Sequence, residues 1–349
     1  MRKPVYKFFR NVLLVLLLVI LGYSPIFYFN IYEDPFGVFT SDFSSRRVEP
    51  NNHFVKMRYV LSNDTGFDSF IFGSSRANNV NPKKFSNGSY YNMYYSLGIP
   101  KEHLNDIKML AGNGCKIKNV IVFLDYASYT TTDTNRIKES LRRPFPEKKM
   151  EQFKSYIYYA FQIPTYEYYE SYYKSPLVPG YKNMYITGCA ENKVAEEFIE
   201  NNRAQHISDP KFDKPYLGYE NKVEYAIGHL KELKNFCDSN KINLTFAMNP
   251  THKTTFLANN TELYFDFMKQ LAAISEYYDF SGINKITCNN YFYYEASHYR
   301  PIVGNAMIDY IQFQKKIDSI PDFGFLVTKQ NVSERIAYHK QQIQSVPKP

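Results

Sequence analysis

Apolar positions divide this chain into one long run and a series of short ones. Residues 12–29 read VLLVLLLVILGYSPIFYF, and no charge interrupts the chain between Asn11 and Tyr32. Such a run is about long enough for one membrane span, which takes roughly 20 apolar residues. Beyond it, short apolar runs alternate with stretches at helical spacing. Residues 68–72 predict a buried strand closed by a tight turn at Gly73, and residues 90–93 a second short strand. Residues 100–110 predict a helix with Pro100 at its first position and Leu104, Ile107 and Leu110 on one face, stopped by Gly112 and Gly114. Asn119–Leu124 (NVIVFL) is the clearest strand and, lacking polar alternation, is buried on both faces. Val223–Ser239 is helical, residues 242–248 form a strand closed by Asn249-Pro250, and Thr261–Ile274 is helical again. Residues 278–280 predict a last short strand and Pro301–Phe313 a final helix. Alternating strands and helices predict an α/β fold: a mostly parallel sheet with helices on both faces, a three-layer α/β/α sandwich. Ligands of such sheets bind beyond the carboxyl ends of the strands.

Composition narrows the partners. The 349 residues are 44% hydrophobic and 22% charged, which supports a sizeable core and excludes wholesale disorder. Of the net charge of +8, residues 1–10 hold +4 and residues 329–349 hold +3, so the body between them is nearly neutral. A nucleic-acid binder would need a basic face there. Basic residues precede the apolar run, and Glu33 and Asp34 follow it. The positive-inside rule then predicts a single-pass type II protein of the cell membrane, its body extracytoplasmic and in contact with membrane lipid. A signal peptide would have a shorter apolar core and a small-residue cleavage site, and a buried core helix would carry a polar face. The predicted organisation is a tip and anchor over residues 1–32, one domain over 33–328, and a basic tail over 329–349. Ten tyrosines fall between Tyr156 and Tyr185, inside an insertion over about 130–222. They read either as helices with tyrosine bodies packed inward, or as a platform for sugar rings or lipid headgroups. Cys115, Cys189, Cys237 and Cys288 lack metal-binding spacing and leave two disulfides, one or none open. No spacing implies a metal or a cofactor.

Two segments carry candidate chemistry. In Phe72-Gly73-Ser74-Ser75-Arg76 a serine follows the first buried strand, at the carboxyl edge of the sheet, where free N–H groups of a following helix can stabilise an oxyanion. In Tyr294-Glu295-Ala296-Ser297-His298-Tyr299 an acid and a histidine are three apart, on one side of a helical turn. The carboxylate would fix the histidine tautomer so that the other ring nitrogen accepts a proton. Both segments fall at one edge of an α/β sheet and together supply a nucleophile, a base and an orienting acid. His252, after the strand ending at Met248, is a reserve candidate at the same edge.

These segments, with residues 92–98, the strand 120–125 and the Asp-Pro-Phe-Gly stretch at 34–37, resemble the SGNH (GDSL-like) hydrolases. They are most similar to the membrane-anchored branch of bacterial envelopes that includes the DltD protein of teichoic acid D-alanylation and SGNH-like alginate O-acetyltransferases. The resemblance covers roughly residues 1–130 and 220–315. It implies Ser75 as nucleophile, His298 as base and Glu295 as acid, with oxyanion donors at the N–H groups of Ser75 and Gly98. Arg76, Asp125 and His252 are secondary substrate-binding candidates, Arg76 also being placed to pair with Asp125. Ser74 stands where the family usually has Asp, Glu295 replaces Asp, and Asp125-Tyr126 replaces a Gly-x-Asn-Asp motif. The function implied is acyl transfer to a cell-envelope polysaccharide or teichoic-type polymer through an acyl-serine, with a membrane-bound O-acyltransferase supplying the acyl group. An esterase acting on the same polymer and a non-catalytic scaffold of the same fold are the rival expectations.

Overall fold

The structure, a computed structural model, describes residues 2–40, 42–44, 46–63, 65–132, 140–177, 179–181, 183–218, 220–316, 320 and 322–346. Helix α1 (Arg2–Tyr28) continues into a π-turn at Phe29–Glu33. It is long and apolar enough to cross a membrane, and the rest of the chain covers almost none of its apolar stretch.

Helix α2 (Asn52–Ser62) precedes β1 (Ser69–Gly73) and β2 (Tyr90–Asn92), and α3 (Pro100–Gly112) leads to β3 (Asn119–Leu124). Between β3 and β4 (Asn243–Met248) lie α4 (Tyr126–Thr130), α5 (Lys149–Phe161), α6 (Tyr166–Lys174), α7 (Lys193–Asn201), α8 (Arg203–Ile207) and α9 (Val223–Ser239). Then come α10 (Lys253–Ala258), α11 (Thr261–Ile274), β5 (Tyr277–Asp279), α12 (Pro301–Phe313), β6 (Phe325–Val327) and α13 (Val332–Ser345). The sheet order is β2-β1-β3-β4-β5-β6, parallel except for β6, which runs antiparallel to β5.

Alternate residues of the central strands enter two separate cores. Phe70, Phe72, Val120, Val122 and Leu124 pack with apolar residues of α2, α3, α9 and α11. Ile71, Ile121 and Phe123 pack with Val303, Met307 and Ile308 of α12. Both faces of β1 and β3 are therefore buried, which is why their sequences lack polar alternation. The chain leaves β1 for β2 on one side and returns to β3 on the other. This reversal opens a crevice at the carboxyl ends of β1 and β3.

Every strand and helix expected from the pattern is present, with ends shifted by a few residues at most. Several elements were not expected, α2, β6 and α13 among them. Helix α2 hides its period because Asn52, His53 and Lys56 are buried alongside its apolar residues. The short β6 carries only three residues. The segment 329–349, expected as a basic tail, instead forms α13 over Val332–Ser345, whose inward face sets buried Arg335 and His339 beside Val332 and Ile336. There Arg335 Nε donates to Asp279 Oδ2 at 2.7 Å and His339 Nε2 lies 2.8 Å from the same oxygen. The tyrosine-rich insertion divides both ways: Tyr159 and Tyr172 are buried, whereas Tyr166, Tyr169 and Tyr173 are exposed.

Asp279 is fully buried. Burial alone would raise its carboxyl, but Arg335 and His339 outweigh that and hold it far below the usual carboxylate range. A carboxylate with a lowered folded pKa stabilises the fold above its unfolded pKa, and that contribution declines as pH falls toward the folded value. Asp279→Asn should therefore cost about 3 kcal/mol at pH 7, leaving Arg335 buried without its counter-charge. In urea denaturation of the detergent-solubilised chain, the gap between wild type and variant should narrow below about pH 4.

Candidate functional site

Ser75 opens a short 3-10 turn, Ser75–Asn79, directly after β1. The turn can form only because Gly73 has no side chain: a Cβ there would lie 2.8 Å from the Ala77 Cβ and 3.0 Å from the Phe123 carbonyl oxygen. Ser74 and Arg76 are buried, while Ser75 between them is partly exposed. His298 comes from the loop before α12, which closes on itself through a bridge between Tyr293 and Tyr299. The Ser75 Oγ lies 2.8 Å from His298 Nε2. His298 Nδ1 bonds Glu295 Oε1, which also accepts the His298 backbone N–H at 2.9 Å.

The Glu-x-x-His spacing was expected to work through a helical turn. The segment is instead a tight loop, and the carboxylate folds back onto both the backbone and the ring of His298. Burial raises the Glu295 carboxyl, but the hydrogen bond and charge of His298 prevail and leave it below its ordinary value. Glu295 is therefore ionised at neutral pH and fixes the tautomer in which Nε2 faces Ser75 as acceptor. Such a trio can take a proton from a serine hydroxyl as the oxygen attacks an acyl carbon.

A second set of buried groups holds the two loops together. Arg76 Nη1 lies 3.2 Å from Asp125 Oδ2, with both side chains almost fully buried. Burial lowers the guanidinium pKa, but Asp125 more than restores it, so the charge persists. Arg76 Nε donates to the Ser297 carbonyl at 3.2 Å and Nη2 to the Ser297 hydroxyl. The guanidinium also lies over the Tyr126 ring, 4.4 Å from its centroid. Asp125 accepts from the Ser74 hydroxyl and, at 3.3 Å, from Asn249 Nδ2, and it caps α4 through the Ala127 N–H.

Several expected site residues prove to be structural. Arg76 and Asp125 are buried and paired with one another. His252 is fully buried: it caps α10 through the Thr254 N–H and bonds Asn290 Oδ1 at 2.9 Å. The Gly98 N–H, expected as an oxyanion donor, donates to the Tyr95 carbonyl at 3.2 Å. Gly98 is needed for close packing instead, since a Cβ would lie 2.6 Å from the Gly73 carbonyl oxygen. The Ser75 N–H has no acceptor among the described residues. All four cysteines carry free thiols.

Ser75, Glu295 and His298 line a cleft of about 430 Å³ shared with Glu49, Asn78 and Tyr181. None of these last three stood out in sequence. Asn78 lies three residues beyond Ser75, and its Nδ2 spends one hydrogen on the Ala190 carbonyl at 3.0 Å, leaving the other. Burial raises the Glu49 carboxyl above its ordinary value, against the pull of Lys56 and His298. Lys56 is itself buried, 2.8 Å from the Tyr94 carbonyl, and its ammonium pKa is lowered by burial. A polar residue outside a recognisable turn gives no sequence signal for a cleft that forms only when residues 49, 78 and 181 meet.

No family model matches the chain, nor does any curated protein or solved structure.

The two sets of groups should separate on mutation. Arg76→Met strands a buried carboxylate and should lower stability by about 3 to 5 kcal/mol, whereas Arg76→Met with Asp125→Leu should recover much of the loss. Ser75→Ala should stay within about 0.5 kcal/mol of wild type. Urea midpoints of the full chain in detergent measure all three.

Proposed function

We propose that this chain is a membrane-anchored serine acyltransferase of SGNH-like type that modifies a cell-envelope polysaccharide or teichoic-type polymer. The observation that carries the reading is the 2.8 Å approach of Ser75 Oγ to His298 Nε2, with Glu295 on the opposite ring nitrogen. The sheet order with its crevice at β1 and β3, and the two cores on either side of the sheet, agree with a three-layer α/β/α arrangement. Helix α1 serves as a single-pass anchor with residues 1–10 in the cytoplasm and the domain outside, as the charge asymmetry favours.

The chemistry runs in two half-reactions. The Ser75 oxygen attacks an activated acyl carbon while its proton passes to His298 Nε2. The tetrahedral oxyanion is met by the Ser75 N–H and the remaining Asn78 amide hydrogen. It collapses to an acyl-serine as His298 gives the proton to the leaving group. A polymer hydroxyl then loses its proton to His298 and attacks the acyl-serine, and Ser75 regains its hydrogen from His298 as the acyl group moves to the polymer. No charge is left over, and Glu295 remains ionised throughout. Tethering favours transfer over hydrolysis, because donor and acceptor at the membrane face are met at high effective concentration. A membrane-bound O-acyltransferase is the partner proposed to deliver the acyl group from the cytoplasm.

Deletion of the gene should lower envelope acyl content, and complementation should depend on Ser75. Ser75→Ala and His298→Ala should each remove nearly all of the activity, and the double variant no more, because the trio acts as a unit. Asn78→Ala should cost on the order of 10²-fold. A rise in acyl content on deletion, with fast hydrolysis of small esters by the purified chain, would make it an esterase. Unchanged acyl content with a phenotype that survives Ser75→Ala would make it a scaffold.

A further inference from the structure

Helix α5 presents an apolar stripe to the outside. Met150, Phe153, Ile157 and Phe161 are spaced three, four and four residues apart, so they share one face. Phe153 is 59% exposed, Ile157 44% and Phe161 52%. The opposite face of the helix carries the buried Ser155 and Tyr159. This inverts the usual arrangement, in which the apolar stripe of a surface helix faces the core. The stripe continues into Ile163, 64% exposed, and Tyr166, 74% exposed. Contiguous exposed apolar surface of this kind marks an interaction site.

The position of the stripe relative to α1 identifies what covers it. The Phe161 ring lies 6.1 Å from that of Tyr23 and 5.6 Å from that of Phe27. Asn30 Nδ2 donates to the carbonyls of Ala160 and Gln162 at 3.0 and 2.7 Å, fixing the end of α5 to the end of α1. The apolar run 12–29 extends about 27 Å as a helix, against a hydrocarbon core of about 30 Å. None of the run is spare, so Tyr23, about 9 Å inside its end, lies below the membrane surface. Whatever touches Tyr23 must enter the interface as well.

We propose that α5 and the following turn lie in the outer interface of the lipid bilayer, the Phe153–Ile157–Phe161 stripe inserted among the acyl chains. This rests on the reading of α1 as a membrane span. An amphipathic helix of this kind buries its apolar face by several ångströms at the headgroup boundary. The charges over residues 147–177 balance, with Glu147, Glu151, Glu167 and Glu170 against Lys148, Lys149, Lys154 and Lys174. Within this segment insertion is thus driven by apolar burial. The consequence for the domain is a fixed seating: α5 joins α1 as a second contact, and the domain cannot swivel freely on a single tether.

The chain has no tryptophan, so one introduced indole reports one position. Full-length Phe153→Trp, Ile157→Trp, Leu17→Trp in the span and Phe313→Trp on α12 are reconstituted in vesicles of phosphatidylcholine with or without phosphatidylglycerol. The indoles at 153 and 157 should emit to the blue of that at 313. They should also be quenched several-fold more by brominated lipid and less by aqueous acrylamide, at either lipid composition. If they match position 313 while the indole at 17 is quenched by lipid, α1 spans the membrane but the stripe lies in water, free for a protein partner, and the proposal fails. If the indole at 17 also escapes lipid quenching, the membrane reading fails with it.

Discussion

A buried guanidinium and a buried carboxylate, Arg76 and Asp125, hold the two halves of the site in register. The serine and histidine are 223 residues apart in sequence, and nothing local brings them together. Asp125, at the carboxyl end of β3, holds the Ser74 hydroxyl beside Ser75. Arg76 holds both the carbonyl and the hydroxyl of Ser297 beside His298. Each charge alone would be costly in so dry a place, and each is tolerable only because the other is there. The pair converts the topology of the sheet into a fixed distance between one oxygen and one nitrogen.

The same constraint explains residues that look like departures from a hydrolase pattern. Ser74 donates to Asp125, and an acid at position 74 would set two carboxylates against each other in a buried space, which raises the pKa of one of them and weakens the hold on Arg76. Ser74 and Asp125 are thus physically coupled. Close packing behind the nucleophile is equally tight. Gly73 and Gly98 are both squeezed by backbone, and Gly98 spends its N–H on Tyr95, whereas Asn78, in the same turn as Ser75, lines the cleft.

Much of the fold was legible because its central strands are buried on both faces and its main helices bury one apolar stripe. The run NVIVFL and the Leu230–Leu233 face of α9 have no competing reading. The serine and the Glu-x-x-His segment were legible for a different reason: the strand-turn and the pre-helix loop fall at one edge of a parallel sheet whatever the details of packing. Two of the helices that escaped bury polar groups. Helices α2 and α13 turn Lys56, Arg335 and His339 inward, where Tyr94 and Asp279 receive them. A pattern of apolar positions cannot register a core held by ion pairs. Arg76 pairs with Asp125, one of its two expected roles, and His252 turns to Thr254 and Asn290, because a polar residue near a strand end is equally suited to bind a ligand or to bind its neighbours. Glu49, Asn78 and Tyr181 reach the cleft only through tertiary folding.

The central claim is that His298 makes Ser75 a nucleophile. Its most direct test is covalent: treat the detergent-solubilised full-length chain with an alkyl fluorophosphonate and locate the adduct by peptide mass spectrometry. A single adduct on Ser75, absent from neighbouring Ser74 and greatly slowed in His298→Ala, is the predicted result. No adduct on the folded chain, or equal labelling with and without His298, would contradict it.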